Sequence, residues 1–268
     1  MEERAMMKTD TLDQIAYALY LAERDVYEVT KFVERYPELT VETAYDIQDK
    51  LIELKCKHEQ TSISGLKLGL TSKAKQQMMG VHEPTYGVLL ANMAVNAQHP
   101  ISLKSLIHPK IEPEIAFVFK EDLVGPVVTV AHVLTATAYV APAMEIIDSR
   151  YLNFHFTLPD VIADNSSSSR YIVGSQKYAV NEVDLVNMGC IFTQNDEMIA
   201  TSTAGSVMGH PARAIAWMAN KLIARGQHIR AGDIVLSGAL TGSATMHAGD
   251  SFTVSFDGME SLSVQVER

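Results

Sequence analysis

Three glutamates stand where acids are costly. In Ile111-Glu-Pro-Glu-Ile-Ala-Phe-Val-Phe119, Glu112 and Glu114 are two residues apart at the head of an apolar run. On a strand, that spacing puts both on one face. In Ala141-Pro-Ala-Met-Glu-Ile-Ile147, Glu145 sits inside a second apolar run. Like charges brought together in a poorly hydrated place repel, and at least one stays protonated unless a cation joins them. Three carboxylates with no Cys and no spaced His pair suit a hard cation, Mg2+ or Mn2+, whose octahedral shell would leave about three positions for water or substrate. The plainer reading is a solvated strand face for Glu-x-Glu and a core acid paired with Arg150 for Glu145. Spacing alone leaves both readings open.

The elements that must carry these acids follow from periodicity. Residues 11–60 have helical spacing, with Leu12, Ile15, Ala16 and Leu19 on one face and Ala44, Ile47, Leu51 and Leu54 following Pro37. Thr11-Leu-Asp-Gln14 has the form of a capping box. The texture changes at Gly65. In Gly65-Leu-Lys-Leu-Gly-Leu-Thr-Ser72 the leucines alternate with Lys67, Gly69 and Thr71, which predicts a strand with Lys67 and Thr71 on one face. Ser72 then caps a short helix through Met79. Further strands are predicted over Ile111–Phe119, Val127–Val130, Ala143–Ile147, Tyr171–Val173, Gly189–Thr193, Ile234–Leu236, Ser251–Phe256 and Leu262–Val266, the last two flanking an Asp257-Gly258 turn. Pro113 lacks a ladder donor, which suits an edge or a bulge. One helix interrupts the strands, with Pro211 in its first turn, Ile215, Met218 and Leu222 on its apolar side and Gly226 at its end. The expected division is a helical region over 1–64 and a strand-rich unit over 65–268, the helices packing on the strands because their apolar faces need cover.

Composition narrows the partners. A net charge of −10 with no basic stripe argues against a nucleic-acid backbone binder. The longest apolar candidate, Val127 to Met144, is broken by His132, three Thr and Pro142, short of the ~20 apolar residues of a spanning helix. Glu2 and Glu3 replace the basic start of a leader peptide, so neither leader nor membrane anchor is expected. Cys56 and Cys190 lie far apart with no CxxC, which fits a reducing cytoplasm and argues against a zinc–thiolate site.

Four ordered segments carry a resemblance. Gly-Leu-Lys-Leu-Gly-Leu-Thr-Ser (65–72), His-Pro-Lys-Ile-Glu-Pro-Glu (108–114), Met-Glu-Ile-Ile-Asp-Ser-Arg-Tyr (144–151) and Val-Ile-Ala-Asp-Asn-Ser-Ser-Ser (161–168) resemble, in order and spacing, the hydratase/decarboxylase branch of the fumarylacetoacetate hydrolase superfamily. The resemblance covers nearly the whole chain. It implies an α+β fold, a mixed β-roll with N-terminal helices packed beside it. It also implies that Glu112, Glu114 and Glu145 form the metal triad and that Lys67 is the active-site lysine. The branch has two main activities: hydration of 2-hydroxypenta-2,4-dienoate and decarboxylation of 2-oxo-3-hexenedioate to that dienol. Asp-Ser-Arg-Tyr-Leu-Asn-Phe-His-Phe (148–156) and Leu-Ser-Gly-Ala-Leu-Thr-Gly (236–242) resemble the decarboxylase form, with His155 in place of its Lys.

The resemblance fixes a set of expectations for the site. The substrate is a small oxo acid, chelated through its C1 carboxylate and C2 keto oxygen. Lys67 holds a carboxylate or moves a proton. Leu70, Thr71, Ser72, Asn165, Ser237 and Thr241 are candidate substrate contacts, and Asp148 and Arg150 are candidates to orient Glu145 from behind. A homo-oligomer and a complex with the pathway hydratase are the expected assemblies. His82 and His108 lack metal-ligand spacing and read as structural. An acylpyruvate-type C–C hydrolase would need a positioned His–Glu pair, and the sequence offers no convincing one.

Overall fold

The computed structural model of the chain describes residues 7–78 and 81–267. Three helices come first: α1 (Thr9–Arg24), α2 (Phe32–Arg35) and α3 (Val41–Glu59). α1 begins two residues before Thr11. Lys8 stands at its cap without a side-chain bond, and the Lys8 carbonyl accepts the Thr11 and Leu12 amides, so the expected capping box lies inside the first turn. The box appears on α3 instead, where Thr40 Oγ1 accepts the Thr43 amide and Thr43 Oγ1 accepts the Thr40 amide.

β1 (Ile63–Gly69) follows, then α4 (Lys73–Met78), β2 (Thr85–Leu90), the two-residue β3 (Ile101–Ser102), β4 (Lys110–Phe119), α5 (Val130–Ala136) and β5 (Thr137–Ile147). α4 ends within the described residues at Met78; Met79, the expected end of this helix, lies outside them. Then come α6 (Leu158–Ala163), β6 (Ser168–Val173), β7 (Gly189–Gln194), β8 (Glu197–Thr203), α7 (Pro211–Ala224), β9 (Ile234–Leu236), β10 (Ala244–Thr245), β11 (Ser251–Phe256) and β12 (Leu262–Glu267). Among the described residues the strands form two sheets. The seven-stranded one runs β2-β1-β9-β4-β5-β6, with β10 also on β4; the five-stranded one runs β3-β12-β11-β7-β8. Most pairs are antiparallel, but β1–β9 and β3–β12 are parallel. The fold is therefore α+β with a mixed, curled sheet and helices beside it, as the resemblance implies.

Two departures from periodicity have plain causes. Residues 127–130 do not form a strand. The Val128 amide and carbonyl are bound by the Asn220 side chain on α7 at 2.9 and 2.8 Å, and Thr129 caps α5. A short apolar run reads alike for a strand and for the approach to a helix. β8 is exposed along much of its length and has no apolar alternation to announce it; its hairpin with β7 turns on Asn195 and Asp196, both at positive φ. β2, by contrast, is buried at every position.

The helices share one core with the larger sheet, Ile47 and Leu51 of α3 joining Leu68, Tyr86 and Phe117. Gln48, fully buried, donates to the carbonyls of Tyr86 and Ile162 at 3.0 Å each. A chain of buried charge also links helices to sheet. Lys55 of α3 meets Glu23 of α1, Glu23 reaches Arg150 at 4.0 Å, and the Arg150 Nε donates to Asp164. Burial works against the Glu23 carboxylate, but Lys55 and Arg150 outweigh it and pull its pKa down to about 2.

A carboxyl group whose folded pKa lies below its unfolded value of 4.5 stabilises the fold above that pH, and the contribution is lost as pH falls from 4.5 toward 2. Urea unfolding at pH 6 and pH 3 should therefore show a larger loss of stability for the wild type than for Glu23→Gln. Arg150→Met strands Asp164 without its cation and should cost about 3–5 kcal/mol.

Candidate active site

β4 and β5 are paired so that Glu112 faces Glu145 directly, with Glu114 two residues along opposite Ala143. Residues directly opposite in an antiparallel pair share a face and have Cβ atoms about 4.5–5.5 Å apart. All three acids therefore converge, and one oxygen from each lies within 4.8 Å of the others. Glu114 and Glu145 are fully buried and Glu112 is 8% exposed.

Pro113 between them sits on a central strand, not an edge. Its missing donor costs the β4–β5 ladder nothing, because the Pro113 carbonyl points to the other side, where it accepts the Leu240 amide at 3.0 Å. On that side β4 is flanked first by β10 and then by β9, and the connecting turn crosses the gap between them. The turn brings Gly238, whose amide donates to Glu114 Oε2 at 2.6 Å. Gly238 has φ +105, and a β-carbon there would stand 2.5 Å from the Thr71 side chain, so only glycine fits.

Lys67 of β1 reaches the same place. It is 2% exposed, because its strand is covered on both faces. Its Nζ donates to the Ser166 carbonyl at 2.9 Å and lies 3.1 Å from Glu145 Oε2, an ion pair without the alignment of a hydrogen bond. The carbonyl is turned inward by three consecutive left-handed residues, Asn165, Ser166 and Ser167. Asn165 holds that turn: its amide group bonds both the amide and the carbonyl of Val88, as a neighbouring strand would. Gly69 leaves the space, since a β-carbon there would meet Thr85 Oγ1 at 2.7 Å and Ser166 Oγ at 2.9 Å.

The electrostatics call for a cation. Among the described residues, the Lys67 ammonium meets the triad through Glu145. Glu114 Oε1 and both Glu145 oxygens are buried with no hydrogen-bond donor. Burial, and then Glu145 beside it, push the Glu114 pKa well above the usual carboxylate range; burial pushes Glu145 up to about 7 against the pull of Lys67. A hard divalent ion would satisfy the orphaned oxygens, so this donor set fits Mg2+ or Mn2+.

In front of the acids opens a cavity of about 190 Å³. Lys67, Glu112, Ser166 and Ser167 form its polar side, Ile147, Phe154, Phe156 and Val161 its apolar side, and Gly69, Leu70, Lys110 and Ser243 complete it. A larger cavity of about 410 Å³ between α3 and the loop after α7 contains none of these groups.

Of the residues singled out in the sequence, Leu70 lines the cavity, its backbone at φ +55. Thr71 is buried against Gly238, and the Ser72 carbonyl accepts the Gln76 amide. Asn165 spends its side chain on Val88, and Thr241 Oγ1 donates to the Gly242 carbonyl. Ser237 Oγ is buried without a partner, next to Gly238. Asp148 and Arg150 do not touch Glu145. Asp148 accepts the amides of Ile107 and His108 at 2.8 and 2.7 Å, ahead of β4; Arg150 binds Asp164 and the carbonyls of Asp148, Asp164 and Ser168. His108 packs on Phe154, and its Nδ1 lies 3.2 Å from Glu28 Oε1, but neither His108 nor Glu28 lines the cavity. Ser166, Ser167, Phe154, Phe156 and Lys110 join the site only through the tertiary structure. Lys110 alone had a signal, two residues before Glu112 on the same strand face.

This site and fold belong to a known class. Residues 63–267 match the fumarylacetoacetate (FAA) hydrolase C-terminal family, and the chain is a member of that family. It is 41% identical over 263 residues to a 4-oxalocrotonate decarboxylase of Pseudomonas sp. (strain CF600), covering 97% of this chain and 99% of that one. A 2-hydroxyhexa-2,4-dienoate hydratase of Comamonas testosteroni is 38% identical over 249 residues, 92% of this chain and 94% of the relative. In structure the chain resembles the 4-oxalocrotonate decarboxylase from Pseudomonas putida G7 complexed with magnesium and adipate, at a TM-score of 0.93 and 38% identity over 97% of this chain and 99% of that one.

The triad can be tested without any substrate. Glu112→Gln, Glu114→Gln and Glu145→Gln should each weaken Mn2+ binding, followed by calorimetry, by at least about 100-fold, since each removes an anionic ligand from a site with three. Crystals soaked in Mn2+ should give anomalous density between these side chains.

Proposed function

We propose that the chain decarboxylates 2-oxo-3-hexenedioate (4-oxalocrotonate) to 2-hydroxypenta-2,4-dienoate, using Mg2+ or Mn2+ held by Glu112, Glu114 and Glu145. The observation that carries this reading is the buried triad with unsatisfied oxygens, whose Glu112 lines a cavity together with Lys67 and the apolar Ile147, Phe154, Phe156 and Val161. The similarity to decarboxylases along nearly the full chain supplies the substrate.

Glu112, Glu114 and Glu145 would hold the ion, which would supply Lewis-acid polarisation of the substrate's oxo-acid group. The C5–C6 bond then breaks, its electron pair moving through C4 and C3 to the keto oxygen, and carbon dioxide leaves. Lys67, fixed between Ser166 and Glu145, holds a proton at the keto end, where negative charge collects. Phe154, Phe156 and Val161 keep water from the conjugated carbons. Ser237, buried outside the lining, is assigned to the turn that carries Gly238, and Leu70, which lines the cavity, to contact with the substrate. Thr71, Ser72, Asn165 and Thr241 are assigned to the shape of the loops around it. Asp148 and Arg150 act at a distance, Asp148 on the turn before β4 and Arg150 on the segment that presents Ser166.

The assembly proposed is a homo-oligomer that also docks the pathway hydratase. β8 supports it as an open sheet edge beside exposed Ile191, Met198 and Ile199. The proposed compartment is the cytoplasm, in keeping with two unpaired cysteines. Among the described residues no helix is long and apolar enough to cross a membrane.

The purified enzyme with Mg2+ should release carbon dioxide from 2-oxo-3-hexenedioate. Rapid loss of 2-hydroxypenta-2,4-dienoate without carbon dioxide release from the diacid would instead establish the hydratase reading, which the Comamonas relative represents. Lys67→Met should lower kcat by at least about 100-fold and leave KM within about threefold, as expected for a residue that handles a proton in the reaction.

A further inference from the structure

We propose that Lys110 reads the far carboxylate of the substrate and makes the cavity select a dianion; this rests on the oxo-acid reading above. Lys110, Glu112 and Glu114 share one face of β4, and burial deepens along that row from half-buried Lys110 to fully buried Glu114. Lys110 thus stands at the mouth of a cavity whose acids lie at its depth. Two residues of strand separate it from Glu112, about 7 Å at the usual rise, comparable with the length of an extended six-carbon diacid. A substrate gripped at its oxo-acid end beside the triad would bring its other carboxylate to this amine.

The ammonium is poised for such a ligand. Lys31, Lys50, Lys55 and Lys221 each meet a carboxylate within ion-pair distance. Lys110 meets none among the described residues; its Nζ lies instead 4.1 Å from the centre of the Phe154 ring. Asn153 and Phe154 both take left-handed backbone, at φ +55 and +58, to bring that ring beneath it. The aromatic face steadies the cation without neutralising it.

The placement also fits the chemistry. The far carboxylate must lose its charge as it leaves, so a deeply buried ion pair there would hold the ground state more tightly than the transition state. A half-exposed ammonium, screened by solvent and shared with a ring, selects the charge yet lets it go. A monoanionic dienol has nothing to offer this amine.

The test uses the full-length Mg2+-loaded protein, with adipate and pentanoate as six-carbon diacid and five-carbon monoacid probes in calorimetric titrations. Lys110→Met should weaken adipate by at least about tenfold and leave pentanoate within about twofold, while Lys110→Arg keeps adipate within about threefold of wild type. With 2-oxo-3-hexenedioate, Lys110→Met should raise KM by a similar factor and hold kcat within about threefold. Equal losses for both probes, no loss for adipate, or no binding of adipate by the wild type would overturn the assignment. If the wild type releases no carbon dioxide yet binds adipate in a Lys110-dependent way, the decarboxylase reading fails and the charge selection stands.

Discussion

Glu112 and Glu145 face each other across two neighbouring strands in the interior of a sheet, with Glu114 fully buried beside them. Like charges in that register repel, and Glu145 is cut off from water while Glu112 meets only the cavity. The ammonium of Lys67 answers one of the charges, and the Gly238 amide answers one oxygen. A divalent ion would satisfy the oxygens of Glu114 and Glu145 that are buried without a donor. Much of the surrounding structure follows from holding this arrangement: a proline whose lost donor falls in a gap between two neighbouring strands, a glycine that alone can pass Thr71, and a third strand bringing a lysine in from the side.

The lysine has its own demands. A buried ammonium needs acceptors, and one of them is a backbone carbonyl that ordinary right-handed geometry would not aim inward. Three successive left-handed residues at 165–167 supply it, and such a turn persists only if its surroundings over-determine it. They do so from three directions. Asn165 is locked to β2, the Ser167 carbonyl accepts the Asp148 amide, and Arg150 binds the Ser168 carbonyl together with Asp164. Through Glu23 and Lys55 the same guanidinium is tied to α1 and α3. The N-terminal helices, which carry none of the cavity's lining, thereby bear on the geometry of its central lysine.

Chemistry and shape divide the cavity between them. Lys67 and Glu112 bring charge to the cavity where the substrate's oxo-acid group would bind, and Phe154 and Phe156 would lower the polarity along its conjugated carbons. Lowering the local dielectric strengthens every interaction at the polar end and removes water that would protonate a reactive carbanion out of turn. A His–Glu pair does exist, His108 with Glu28, but it stands behind Phe154 and outside the cavity, away from any place where it could direct a water at the substrate.

Local sequence determined those features that depend on neighbours in the chain. Glu112 and Glu114 had to share a face because a strand has period two, and α3 and α7 had to be helices because their apolar residues recur at helical spacing. The turn at Asn195-Asp196 was written in residue types that tolerate positive φ, although the exposed strand after it carried no pattern to be noticed. Tertiary structure decided the rest. The register that sets Glu145 against Glu112 rather than one residue aside depends on pairing between segments some thirty residues apart. The roles of Asn165, Asp148 and Arg150 became visible only when their partners were in place, because a side chain that braces a loop looks the same in sequence as one that touches a ligand. Phe154 and Phe156 carry no chemical signal of their own in the sequence, and only the folding of their loop brought them to the cavity beside Lys110.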